Sequence, residues 1–142
     1  MAGSEYKATV RYAGDELFIG TAPSGNSVAI DVKSDRKSAQ SPLEMLLVAV
    51  AACTAADVAS VMEKRREDVR EYTVEVTGTR VDDYPRKFVA FHVHHIVRGH
   101  NVSEQGLARA IELSDTKYCS VAATVRPTAT ITTSYEIIEV DA

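Results

Sequence analysis

Cys53 and Cys119 are the residues whose types and placement most directly suggest chemistry. Cys53 lies inside a long apolar run, and Cys119 follows a second helical pattern. If the fold brings the two thiols together, they form a two-electron couple: one thiolate attacks and the other thiol resolves the product. The alternative is a pair of inert thiols packed as small hydrophobes. Other candidates are weaker. His92, His94 and His95 lie close in sequence, but strand alternation sends His92 and His94 to one face and His95 to the other. At most two of them converge, so the expectation is strand histidines, with His95 packed on the apolar face and no metal bound. Asp57 shares a helix face with Cys53, four residues before it. It can accept a hydrogen bond, yet as an anion it opposes thiolate formation, so a structural or solvent-facing role is expected. Tyr118 either lines a pocket beside Cys119 or packs in the core.

Several elements must position these groups. Ser41 can cap a helix, Pro42 suits its first position, and Glu44 stands where a capping box closes. The helix that follows is uncharged on nearly every side between Met45 and Ala56, which predicts a central helix covered on several faces. Cys53 is about 12 residues, or roughly 18 Å, from the cap, too far to be activated by the positive helix end. Strands are predicted at Glu5–Tyr12, Glu16–Gly20 and Ser27–Val32, joined by turns at Ala13-Gly14-Asp15 and Pro23-Ser24-Gly25-Asn26, with a loop over Lys33–Gln40. Alternation continues at Glu71–Val81 and Lys87–Arg98, where Val89, Phe91, Val93, His95 and Val97 share a face. A second helix fits Ser103–Lys117, and Cys119 is placed to start a new helical turn beside unpaired N–H groups. A last strand fits Thr128–Val140. This order predicts an α+β fold in a single domain spanning 1–142.

Composition narrows the function classes. The chain has 142 residues, 45% of them hydrophobic and 25% charged, which predicts a globular domain with its own core. A net charge of -4 and the lack of a basic stripe argue against nucleic acid. The opening residues do not read as a signal peptide, and Met45–Ala56 is too short to span a bilayer. A cytoplasmic protein without a membrane partner, with free or reversibly oxidised thiols, is expected.

The run Ser41-Pro42-Leu43-Glu44-Met45-Leu46-Leu47, followed by Ala51-Ala52-Cys53, resembles the first signature of the osmotically inducible protein C and organic hydroperoxide resistance superfamily. Leu113-Ser114 and Lys117-Tyr118-Cys119-Ser120-Val121 resemble its second cysteine motif. The likeness covers essentially the whole chain and is strongest to the uncharacterised, redox-protein-like subgroup. It implies an intertwined homodimer with antiparallel sheets wrapped around long central helices. In the peroxidase branches, the residue matching Cys53 attacks an organic hydroperoxide and the one matching Cys119 closes a disulfide, which a dithiol donor reduces. No cofactor is implied.

The peroxidase branches pair their attacking cysteine with an arginine and a glutamate. Here Leu43 occupies the glutamate position, and Glu44, one residue later, is rotated roughly 100° around the helix. The N-terminal turn that carries the arginine reads Ala13-Gly14-Asp15-Glu16, leaving Arg11, Arg36 and Lys37 as the nearby cations. Thiol-dependent reduction of a small apolar hydroperoxide is therefore the leading expectation, with Cys53 and Cys119 catalytic and Arg11, Arg36, Lys37, Glu44 and Tyr118 in support. The alternatives are a non-enzymatic dimer that binds an apolar small molecule or senses redox state, and thiol attack on another electrophile.

Overall fold

The computed structural model describes residues 3–142. The chain divides into two compact units, one ending at Leu46 and the other running from Leu47 to Ala142. In the first, β1 (Thr9–Gly14), β2 (Leu17–Thr21) and β3 (Ser27–Asp31) form an antiparallel sheet in the order β1-β2-β3. The β1–β2 reversal falls at Asp15 and Glu16, whose φ angles of 51° and 61° are both positive. Two successive left-handed residues match the right-handed twist of the flanking strands. The tight turn thus sits slightly later than Ala13-Gly14-Asp15.

A long helix, α1 (Pro42–Lys64), starts in the first unit and continues into the second. Its start is the reciprocal cap expected from the sequence. The Ser41 N–H donates to Glu44 Oε1 at 2.9 Å, and the Glu44 N–H donates to Ser41 Oγ at 3.3 Å. Buried Val50, Thr54, Val58 and Met62 recur every four residues, which stacks them along one stripe. By length and composition α1 would also satisfy a membrane span, with mean hydropathy 2.0 over its most apolar window.

The second unit pairs β4 (Asp68–Arg80) with β5 (Phe88–His100) in antiparallel register, and β5 with β6 (Thr130–Glu139) in parallel. The expected wholly antiparallel arrangement therefore fails at β6. The chain between β5 and β6 runs through α2 (Glu104–Leu113), a π-helical turn (Ser114–Tyr118) and α3 (Ser120–Val125). A crossover of that length returns the strand in the same direction, which a hairpin cannot do. Phe91, Val93, His95 and Val97 are all buried, as their alternation predicts. Val58 and Met62 of α1 join Val97, Leu107, Ala110 and Ile111 in the core. Each fully buried aliphatic side chain of this kind contributes roughly 1.5–3 kcal/mol.

α2 ends at Leu113 rather than continuing to Lys117. Ser103 caps it, accepting from the Gly106 N–H at 3.0 Å. The wider π turn then closes with the Cys119 N–H donating to the Ser114 carbonyl at 2.9 Å. Such turns re-aim side chains at the end of a regular helix.

Candidate functional site

Three segments of the second unit converge on one small polar cluster. α1 supplies Cys53 and Asp57, one helical turn apart, with Thr54 between them. The π turn supplies Ser114, and the residue after it is Cys119. The Cys53 and Cys119 sulfurs and an Asp57 carboxylate oxygen all lie within 4.8 Å of one another. Both thiols are free; Cys53 is half-buried and Cys119 is buried. The fold brings the two thiols into one cluster, the condition on which a redox couple depends.

Ser114 ties the cluster together. Its Oγ is fully buried, 2.8 Å from Asp57 Oδ2 and 3.0 Å from Thr54 Oγ1. The Ser114 hydroxyl is placed to donate to either acceptor, Asp57 Oδ2 or Thr54 Oγ1, with one hydrogen to give. Asp57 thus stands at the site and does not merely face solvent.

Cys119 caps α3, its sulfur accepting from the Ala122 N–H at 3.3 Å. That contact favours a thiolate, as the sequence suggested, but it is outweighed. Burial and the neighbouring Cys53 thiol, with a further push from Asp57, raise the Cys119 thiol to about 11. At neutral pH Cys119 is a protonated thiol. An Asp57 carboxylate oxygen lies beside both sulfurs and disfavours a negative charge on Cys119.

Of the supporting residues expected from the sequence, Arg11, Arg36, Lys37 and Glu44 belong to the first unit and Tyr118 to the second. Arg36 holds Asp31 through two hydrogen bonds of 2.7 and 3.0 Å, and it also binds Asp15 at 2.8 Å. Asp31 accepts further from Ser38 and the Lys33 N–H, and these donors, Arg36 foremost, hold its carboxyl far below the ordinary range. Glu44 closes the helix cap described above, and the Ser41 N–H holds its carboxyl below the usual value. Arg11 is exposed on β1, in register with Ile19, and Lys37 is exposed in the loop before α1. Tyr118 is 51% exposed, with the Lys117 ammonium 5.2 Å from its ring centre.

The histidines divide as strand alternation predicts. His92 and His94 both reach Ser134, and His92 also reaches Thr132. His95 is fully buried with its Nδ1 2.7 Å from the Tyr72 hydroxyl.

Two cavities border this region. One of about 10 Å³ is lined by Thr54, Ser114 and Cys119 together with Val50, Val93 and Ile131. It is no larger than a single water. A larger apolar one of 210 Å³ is lined by Val58, Met62, Val69, Tyr72 and Val97 among others, and neither cysteine belongs to its wall.

Ser114 and Asp57 were the functional residues least legible in the sequence. Ser114 shows in the sequence within the Leu113-Ser114 motif and as a polar residue in helical line with Leu107 and Ile111.

The fold is α+β, with two small sheets and helices, and it brings two free thiols together, one from α1 and one from the start of α3. The comparisons agree: the OsmC-like protein family profile matches residues 34–134, and the chain belongs to that family. It is 39% identical over 132 residues to Protein YhfA of Escherichia coli strain K12, spanning 93% of this chain and 98% of that protein. A hypothetical protein from Aquifex aeolicus VF5 superposes with a TM-score of 0.85 at 23% identity, over 98% of this chain and 100% of that one. The organic hydroperoxide resistance protein OhrB of Bacillus subtilis superposes with a TM-score of 0.61 at 14% identity, over 94% and 98%. The last two likenesses concern the fold.

Proposed function

We propose that this protein reduces organic hydroperoxides through Cys53 and Cys119. The observation that carries the reading is the approach of the two sulfurs to within 4.8 Å in the reduced protein. A disulfide needs about 2.05 Å, so a local movement of one side chain or of the turn closes the gap. Family membership and the fold shared with OhrB support redox chemistry on organic peroxides.

Exposure divides the labour between the thiols. Half-buried Cys53 is the one a substrate can reach, whereas Cys119 is buried and stays protonated. The Cys53 thiolate attacks the distal peroxide oxygen, the O–O bond breaks, and the leaving alkoxide takes a proton to become the alcohol. The Cys53 sulfenic acid then condenses with the Cys119 thiol, forming the S–S bond and releasing water. A dithiol donor restores both thiols and is itself oxidised to a disulfide.

The whole chain acts as one OsmC-like domain in a cytoplasmic, intertwined homodimer. α1 supports the dimer: it is strongly apolar, yet only 22% of its most apolar window is buried within one chain. Val48, Val10 and Tyr12 are likewise exposed, at 50%, 63% and 61%. A second copy is the occupant that would cover such faces.

The test is peroxide consumption by the reduced protein with a dithiol donor, together with peptide mapping under non-reducing conditions. Turnover and a Cys53–Cys119 disulfide are expected, and Cys53→Ser abolishes both. Equal consumption by that variant and the wild type overturns the reading. Asp57 favours a second reading, because its charge opposes the thiolate. In that case the protein either retains an apolar ligand or senses redox state through the pair, without multiple turnovers.

A further inference from the structure

We propose that Cys53, Asp57 and Cys119 form a binding site for a thiophilic divalent cation of the zinc class, with the fourth coordination position open to water. The sequence alone pointed to no metal, because His95 turns away from His92 and His94; the three-ligand cluster is Cys53, Asp57 and Cys119. Three potential ligand atoms lie mutually within 4.8 Å. Around a tetrahedral ion with metal–sulfur bonds of about 2.3 Å and metal–oxygen bonds of about 2.0 Å, neighbouring ligand atoms stand about 3.5–3.8 Å apart. Contracting the observed cluster to that size requires side-chain adjustment and no change of fold.

The arrangement has the features of a built site. Cys53 and Asp57 come from successive turns of one rigid helix, while Cys119 closes from a separate segment. Ser114, fully buried, holds one Asp57 oxygen at 2.8 Å and orients the carboxylate, leaving its other lone pairs for the ion. Asp115 is already engaged by Arg126 at 2.6 Å and does not compete. Cys53 and Asp57 are half-buried, which leaves an entry path. The ligand set selects the ion: two sulfurs suit zinc and disfavour calcium and magnesium.

Charge also balances. On binding, each thiol gives its proton to the solvent, and the two new thiolate charges are matched by the divalent cation. The net charge of the cluster is therefore unchanged. A metal-bound pair cannot form a disulfide, so occupancy shields both sulfurs from oxidants and alkylating agents. This holds whether or not the pair turns over peroxide.

The experiment uses the full chain, reduced, stripped of metal and kept free of oxygen. Cobalt(II) is titrated in and followed by thiolate-to-cobalt charge-transfer absorption, then displaced with zinc. Saturation at one ion per chain is expected, with two protons released and alkylation of both cysteines slowed at least tenfold. Cys53→Ser and Cys119→Ser should each lose charge-transfer intensity, and Asp57→Asn should weaken binding tenfold or more. The alkylation readout needs no variant, so a poorly folded mutant does not blunt the test. Absence of a thiolate band, unprotected cysteines, or undiminished affinity in Asp57→Asn overturns the proposal. So does binding that survives in the double cysteine variant, which would point to His92 and His94.

Discussion

The Ser114 hydroxyl sits 2.8 Å from Asp57 Oδ2 and joins the π turn after α2 to the middle of α1. Through this contact and the one to Thr54 Oγ1 at 3.0 Å, the segment that carries Cys119 is held against the helix that carries Cys53. Removing the hydroxyl with Ser114→Ala leaves Asp57 and Thr54 without their shared partner, at a cost of about 1–3 kcal/mol. A double-mutant cycle with Asp57→Asn checks it: denaturant unfolding should give a coupling energy of at least about 0.5 kcal/mol, and strict additivity would refute the link.

Asp57 also controls the electrostatics of the thiols. Its charge contributes to the raised Cys119 thiol, after burial and Cys53. Asp57→Asn should therefore lower the midpoint for alkylation of Cys119, measured site by site by mass spectrometry across pH. An unchanged or higher midpoint would show that the carboxylate is not felt by the sulfur.

Cys119 protects Cys53 if the two act in sequence. In Cys119→Ser, peroxide should leave Cys53 as a sulfenic acid that a dimedone-type probe traps, and excess peroxide should drive it to the sulfinic acid. Intact-mass shifts report both products. Full resistance of Cys53 to overoxidation in this variant would remove Cys119 from the resolving role.

His95 makes stability depend on pH. Burial, with a smaller contribution from His94, lowers its pKa from 6.5 to about 4. The unfolded chain therefore binds a proton that the folded chain refuses within this window. The stabilisation is fully present above pH 6.5 and is lost as the pH falls towards 4, by roughly 2 kcal/mol between pH 7 and pH 5. The groups around it are Tyr72 on β4, His94 on β5 and Tyr135, its register partner on β6. Urea unfolding at the two pH values measures the slope, and a His95→Leu/Tyr72→Phe double variant should flatten it.

Arg36 has a separate structural duty in the first unit. Asp31 is 3% exposed, and Arg36 is its charged partner. Arg36→Ala should lower the melting temperature and speed hydrogen exchange over residues 31–38. Arg36→Lys should not restore either, because an ammonium cannot reproduce the fork that engages both Asp31 oxygens and Asp15. Full rescue by lysine would reduce the contact to simple charge.

Much of this molecule was determined by local pattern. The Ser41–Glu44 cap and the alternation through Phe91, Val93 and His95 are short-range features, each set by its own element. The two cysteine motifs were equally readable, because residue type and neighbours carry them. The one buried stripe of α1 through Val50, Thr54, Val58 and Met62, by contrast, emerged only in the fold from a helix apolar on nearly every side. Tertiary structure alone decided which side chains share a site. The approach of Cys119 to Cys53 depends on how α1 packs against the π turn, and one extra residue in that turn re-aims the sulfur. The same packing brought Asp57 beside Cys119 and raised its thiol, while the crossover through α2 and α3 set β6 parallel to β5. The pairing of Arg36 with Asp31 and Asp15 likewise rests on the folded first unit. Proximity and desolvation arise between segments distant along the chain, and no local periodicity encodes them.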